Sequence, residues 1–126
     1  MHSRRILIVE DDLDMQEVFQ RFLKRKGFSV IVASNGHEGL YLAEAGRPDL
    51  IVTDIRMPEL DGISLIKEWR SQAEFDNTPI IAITAYGSGD LNLAIRAGAN
   101  RGIRKPPDLD SLVIGIKELL AESGKN

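Results

Sequence analysis

The sequence predicts an α/β fold: a doubly wound, five-stranded parallel sheet carrying five helices. Three observations predict it. Short apolar runs alternate with segments of helical spacing, five times over. The connections are short and marked by glycine, proline, asparagine or aspartate. Polar residues suited to chemistry stand at the ends of the apolar runs rather than inside them. Strict alternation implies parallel strands covered on both faces, and right-handed crossovers leave few topologies.

The elements follow in order. Residues 6–9 are a β-branched run ending in three acids, and they read as an interior strand. Met15, Val18, Phe19, Phe22 and Leu23 recur at helical spacing, and Gly27 closes that segment. Residues 28–32 read as the second strand. Residues 34–36 are a turn, and Leu40 and Ala43 mark a short helix ending at Gly46. Residues 50–53 are the third strand, with Asp54 at its carboxyl end. Residues 58–62 form a loop in which Asp61 is the N-cap of the next helix, whose inner face is Ile63, Ile66 and Trp69. Pro79 opens the fourth strand, residues 80–83, which ends at Thr84. Residues 86–90 read as a glycine-rich loop, and Leu91, Ala94 and Ile95 as a weak amphipathic helix ending at Gly98. Residues 101–104 are a poor fifth strand, apolar only at Ile103. Lys105-Pro106-Pro107 breaks the chain. Leu109, Leu112, Val113, Ile116, Leu119 and Leu120 give a strongly periodic last helix, and residues 124–126 read as frayed. The flavodoxin-like strand order 2-1-3-4-5 suits this series and places ligands at the β1/β3 switch point.

The chain has 126 residues, enough for one domain with a core of its own. The expectation is a single domain over residues 1–126, with residues 4–122 as its ordered core. There are no cysteines, which excludes disulfides and thiolate metal sites. No apolar run is long enough to span a bilayer, and the first residues lack the core and cleavage site of a signal peptide. These features point to a soluble, cytoplasmic protein without membrane contact. The formal net charge of −3, with both signs dispersed, gives no footprint for direct nucleic-acid binding. His2 and His37 have no partner at metal-ligand spacing and read as surface residues; Trp69 and the phenylalanines read as core.

In a parallel sheet the carboxyl ends of all strands share one rim. Glu10, Asp11 and Asp12 follow the first strand, Asp54 ends the third, Thr84 the fourth and Lys105 the fifth. Taken singly, each has an ordinary reading: an acidic helix start favoured by the macrodipole, a loop cap, a strand threonine, a surface lysine. Four such groups at four strand ends are a different matter. Two carboxylates about 4 Å apart repel by roughly 4 kcal/mol at an effective dielectric near 20, and one lysine cannot offset several acids. A hard divalent cation can, and oxygen ligands favour Mg²⁺. Asp54 then reads as a nucleophile that accepts a phosphoryl group. The ion, the lysine and the hydroxyl would share the charge on its oxygens.

The set of motifs Ile6-Leu7-Ile8-Val9-Glu10-Asp11-Asp12, Asp54-Ile55-Arg56-Met57-Pro58 with Asp61-Gly62, Ile83-Thr84-Ala85 and Lys105-Pro106 resembles the response-regulator receiver domain of two-component signalling. The resemblance covers essentially the whole chain. It implies that Asp54 is the phosphoacceptor and that Asp11, Asp54 and the Arg56 backbone carbonyl bind Mg²⁺, with Glu10 reaching it through water. It implies that Thr84 and Lys105 each hold a phosphoryl oxygen, and that the Lys105-Pro106 bond is cis. The donor would be a sensor histidine kinase or a histidine phosphotransfer protein, acting on a module whose output partner the sequence does not name.

Two positions depart from the family pattern. Gly102 stands where an aromatic residue is usual, and Pro107 follows Pro106. Gly102 should leave the fifth strand short of packing and more mobile, with the signal leaving by another route. Arg56 and Tyr86 flank the phosphoryl site and would crowd the attacking water, slowing self-dephosphorylation; the plainer reading points both to solvent. The last helix and the strand before it are a candidate homodimer face. The main rival is an interaction module that keeps the fold without phosphorylation. An enzyme is disfavoured: the loop after the first strand is acidic where a flavin phosphate would bind, and Arg56 stands where an aspartate-based phosphatase would carry its general acid.

Overall fold

The computed structural model describes residues 3–123; the readings of His2 and of residues 124–126 lie outside them. Five strands, β1 (Arg5–Val9), β2 (Ser29–Ala33), β3 (Leu50–Asp54), β4 (Ile80–Thr84) and β5 (Arg101–Arg104), alternate with five helices. These are α1 (Leu13–Arg25), α2 (Gly36–Gly46), α3 (Gly62–Arg70), α4 (Ser88–Ala97) and α5 (Leu109–Glu122). A short 3-10 turn at Ala73–Phe75, which the sequence pattern did not announce, buries Phe75. Every strand pair is parallel and the order is β2-β1-β3-β4-β5, as expected. No helix among the described residues is long and apolar enough to cross a membrane.

Side chains alternate across a strand, so each strand feeds two cores. Leu7, Val9, Ile51, Ile80 and Ala82 pack on one face with Ala43 of α2, Leu65, Ile66 and Trp69 of α3, and Ala94 of α4. Ile6, Ile8, Leu50, Val52, Ile81 and Ile83 pack on the other with Phe19 and Leu23 of α1 and Leu112, Ile116 and Leu120 of α5. Burial on both sides is why β3 and β4 read as unbroken apolar runs rather than alternating ones.

The helix ends explain most boundary shifts. Gly27, at φ 94°, follows the last turn of α1. Its N–H donates to the Lys24 carbonyl, and the Phe28 N–H donates to that of Leu23. This paired closure consumes the Phe28 amide, so β2 begins at Ser29 rather than at residue 28. At the end of α2 the left-handed residue is Arg47, φ 45°, not Gly46. A Cβ at Gly46 would stand 2.6 Å from Ile31 Cδ1, so the tip of that side chain would have to move to admit one. Asp61 caps α3 as expected, accepting the Ser64 N–H at 2.8 Å. Val18 and Ile95 belong to solvent-facing surfaces rather than to the core, at 42% and 47% exposure.

Two expectations near α4 and β5 are corrected. Residues 88–90 are the first turn of α4 and not loop; the bonds of Asp90 to Thr84 and Arg56 offset the weak helix propensity of Gly89. Gly102 does not leave a packing gap. A Cβ there would lie 2.9 Å from Leu91 Cδ2, so the side chain of Leu91 already covers the strand.

Candidate functional site

The carboxyl ends of β1 and β3 are neighbours in register, Val9 beside Thr53. The residues that follow therefore emerge side by side. Glu10 is buried, its backbone still tied to the sheet through a 3.0 Å bond to the Ala33 carbonyl. Asp54 is also buried, and Asp11 is exposed at the mouth. One carboxylate oxygen from each of Glu10, Asp11 and Asp54 lies within 4.8 Å of the others. Asp12 leaves this group: it caps α1, accepting the N–H groups of Asp14 and Met15 at 2.9 and 3.3 Å. Its two readings, helix start or cluster member, are thus decided for the helix.

Gly62 fixes the floor of the site. A Cβ at this position would fall 2.1 Å from the Asp54 carbonyl oxygen. Its N–H donates to the Ile55 carbonyl at 2.8 Å, folding the start of α3 against the end of β3. Only glycine permits that approach.

Lys105, just past β5, reaches back across β4. Its Nζ lies 2.8 Å from Glu10 Oε1 and 2.9 Å from Asp54 Oδ1. The Lys105-Pro106 peptide is cis. Burial alone would lower the lysine's proton affinity, but the two carboxylates outweigh it and raise it. Burial pushes the Asp54 carboxyl up to about 8, with Glu10 adding to the rise. Burial acts on Glu10 in the same direction, yet its bonds to Asp54, Lys105 and the Asp12 N–H hold it below the usual carboxylate range.

Three carboxylates against one ammonium leave two negative charges uncompensated when all are ionised. Oxygen-only donors with an exposed member at the mouth suit a hard divalent cation that keeps some of its waters. The residues present therefore fit Mg²⁺.

Thr84, buried at the end of β4, does not face this pocket with its hydroxyl proton. The hydroxyl donates to Asp90 Oδ2 at 3.0 Å and accepts the Tyr86 N–H at 3.1 Å. Asp90 also receives the Arg56 guanidinium, with Nε to Oδ2 at 2.8 Å and Nη2 to Oδ1 at 2.9 Å. Arg56 lies over the Tyr86 ring, 4.6 Å from its centroid. Bonding to Arg56 lowers the Asp90 carboxyl, against a smaller upward push from burial. Asp90 was not singled out by the sequence. The available signal was an acid in the first turn of a helix, obscured by the flanking Gly87 and Gly89.

Fold and site together define a doubly wound α/β domain with a carboxylate pocket at the switch point of its sheet. The profile of the response regulator receiver domain matches residues 6–117, and the chain belongs to that family. Transcriptional regulatory protein PrrA of Mycobacterium tuberculosis (strain ATCC 25618 / H37Rv) is 39% identical over 123 residues, 97% of this chain and 52% of that protein. Regulatory protein AtoC of Escherichia coli (strain K12) is 38% identical over 117 residues, 92% of this chain and 25% of that protein. The chain thus spans about half or less of these curated relatives. A CheY-like response regulator receiver domain protein from Methanospirillum hungatei JF-1 superposes with a TM-score of 0.90 at 31% identity, covering 98% of each chain. The Francisella response regulator 1452 receiver domain gives 0.89 at 30% identity, covering 96% of this chain and 99% of that one.

Proposed function

We propose that residues 1–126 form one phosphorylation-operated receiver domain in which Asp54 accepts a phosphoryl group. The donor is a sensor histidine kinase or a histidine phosphotransfer protein, met in the cytoplasm. The observation that carries this reading is the bridging of Glu10 and Asp54 by Lys105 beside a third carboxylate, Asp11. Nothing in an ordinary strand end calls for so much buried charge.

An Asp54 carboxylate oxygen attacks phosphorus. The O–P bond forms as the P–N bond to the donor imidazole breaks, and the electron pair stays on that nitrogen. Asp11, Asp54 and the Arg56 backbone carbonyl would hold Mg²⁺ directly, and Glu10 would reach it through water; the ion would supply positive charge to the phosphoryl oxygens. Lys105 pairs with one phosphoryl oxygen and the Thr84 hydroxyl bonds another. The added charge biases a two-state equilibrium, and the domain catalyses nothing beyond its own phosphoryl transfer and slow hydrolysis. The net charge of −3 gives this chain no direct role on nucleic acid, and a homodimer through α5 and β5 is one route to output.

The test is intact mass after incubation with a small-molecule phosphoryl donor and Mg²⁺. Wild type gains one phosphoryl group and Asp54→Asn gains none. An unlabelled wild type leaves the phosphorylation-independent interaction module as the better reading.

A further inference from the structure

The group around Asp90 lies beside the pocket without belonging to it. A threonine hydroxyl has one proton to donate, and that of Thr84 is committed to Asp90. The receiving carboxylate is buried, and an unpaired charge there would be costly. Arg56 removes that penalty with a two-point grip that needs nothing from Thr84. Asp90 therefore stays satisfied whether or not Thr84 remains bonded to it. Helices α1, α2, α3 and α5 each have a side-chain N-cap bond. α4, whose N-cap is Gly87, has none. An acid at the third helical position commonly turns back to cap its own helix; Asp90 instead points to Thr84 and Arg56.

We propose that Asp90 is a positioning residue that holds the Thr84 hydroxyl away from Asp54 until a phosphoryl group outbids it, and that Arg56 sets how readily it lets go. The proposal rests on the reading of Asp54 as the phosphoacceptor. Two anions compete for one proton donor, and Thr84 can serve only one of them. By neutralising part of the Asp90 charge, Arg56 weakens that carboxylate as an acceptor and eases the exchange. Only molecules with Thr84 released present the hydroxyl to the transferring group, so the observed rate scales with their fraction. Release also loosens the uncapped first turn of α4. Leu91, the next residue after Asp90, carries the change to Gly102 of β5, where it already sits. An aromatic residue at Gly102 is then not needed to relay it.

The two members of one ion pair thus have opposite effects, which a merely structural pair would not show. The experiment measures the initial rate of labelling of the whole chain by acetyl phosphate and Mg²⁺, read by intact mass. Asp90→Ala labels several-fold faster than wild type, and Arg56→Ala several-fold slower. In a Thr84→Val background the Asp90→Ala effect vanishes. In the unphosphorylated Asp90→Ala protein, the Tyr86 amide resonance moves toward its position in phosphorylated wild type, because that N–H donates to the Thr84 oxygen. Should Asp90→Ala misfold, the isosteric Asp90→Asn gives the same sign. Arg56→Ala, which removes an exposed side chain, is decisive by itself, since faster or unchanged labelling overturns the proposal. Rate changes of the same sign for both partners also overturn it, as does an Asp90→Ala effect that survives in Thr84→Val. An unlabelled wild type defeats the phosphoacceptor reading itself, whereas a labelled wild type with same-sign variants defeats only the role of Asp90.

Discussion

Lys105 Nζ stands 2.9 Å from each carboxylate oxygen of Asp54, although 51 residues separate the two in the chain. The ammonium sits astride the carboxylate rather than at one end of it, and it bonds Glu10 as well. The end of β5 is thereby tied to the ends of β1 and β3 across β4. Lys105→Met removes the only cation bonded to two buried acids among the described residues. Breaking such a group costs about 3 kcal/mol, limited by uptake of a proton on the carboxylates. Chemical denaturation at mildly alkaline pH, where Asp54 is ionised, reads the loss, and it shrinks toward mildly acidic pH. A variant as stable as wild type at both pH values refutes the coupling.

The proton affinity of Asp54 gives a pH dependence of definite sign. Its ordinary value is 3.8, and burial, aided by Glu10, carries it to about 8 in the fold. Between those limits the folded state binds a proton that the unfolded chain releases. The resulting stability is fully present below the lower value and is lost as pH rises through the upper one. Metal-free protein therefore melts at progressively lower temperature from mildly acidic to mildly alkaline pH. Asp54→Asn flattens that decline and melts higher than wild type at the alkaline end. Stabilisation by added Mg²⁺ grows over the same range, because the ion needs the carboxylate ionised. Parallel melting curves for wild type and Asp54→Asn count against both statements.

Gly62 tests how closely the site is built on the backbone. Gly62→Ala would drive a Cβ into the Asp54 carbonyl oxygen and within 2.8 Å of Ile55 Cα. Neither neighbour is the flexible tip of a side chain, so the strand end must move. The expected destabilisation is about 3 kcal/mol, at the upper end for overpacking, together with slower phosphoryl labelling. Gly89→Ala, where a Cβ meets nothing within 4 Å, serves as the control and raises stability by up to about 1 kcal/mol.

The acids and the lysine were legible because their chemistry follows from one-dimensional signals. A strand must end somewhere, and in a parallel sheet all such ends share a rim, so Glu10, Asp54 and Lys105 could be brought together without coordinates. Asp12 was ambiguous for a physical reason: the same residue type caps helices and joins acidic clusters. The contacts of Asp90 left no trace in the pattern. They join α4 to residues 34 and 6 positions earlier, and Gly87 and Gly89, at the N-cap and within the first turn, suggest a loop. Gly102 misled in the other direction. A missing side chain looks like a gap in sequence, yet a neighbour from another element can grow into the space.

The stack of Arg56 on Tyr86 bears on the lifetime of the phosphorylated state. Both side chains are more than half exposed, yet Arg56 is held by Asp90 while it covers the Tyr86 ring. Under the proposed phosphorylation of Asp54, this pair is expected to slow hydrolysis of the acyl phosphate. Removing it in the Arg56→Ala, Tyr86→Ala double variant shortens the phosphorylated lifetime several-fold, followed by the decay of the added mass after the donor is removed. An unchanged lifetime means the stack does not guard the phosphorus.

Leu91 supplies the packing that Gly102 lacks, and this changes what β5 should do. The strand is at the edge of the sheet, its residues are half-buried or exposed, and its pairing runs only along β4. An edge strand of four residues opens easily unless a side chain covers it. Leu91→Ala removes that cover from above Gly102 while leaving the β4 face of the sheet intact. Amide exchange at Gly102 and Ile103 then quickens by about tenfold, since a factor of ten needs only about 1.4 kcal/mol, within reach of Leu→Ala at a half-buried position. Exchange in β4 at Ile81 and Ala82 changes far less, because both lie fully buried between β3 and β5. Equal acceleration in the two strands would mean that Leu91 supports the whole domain rather than this edge, and unchanged exchange would restore Gly102 as a true weak point.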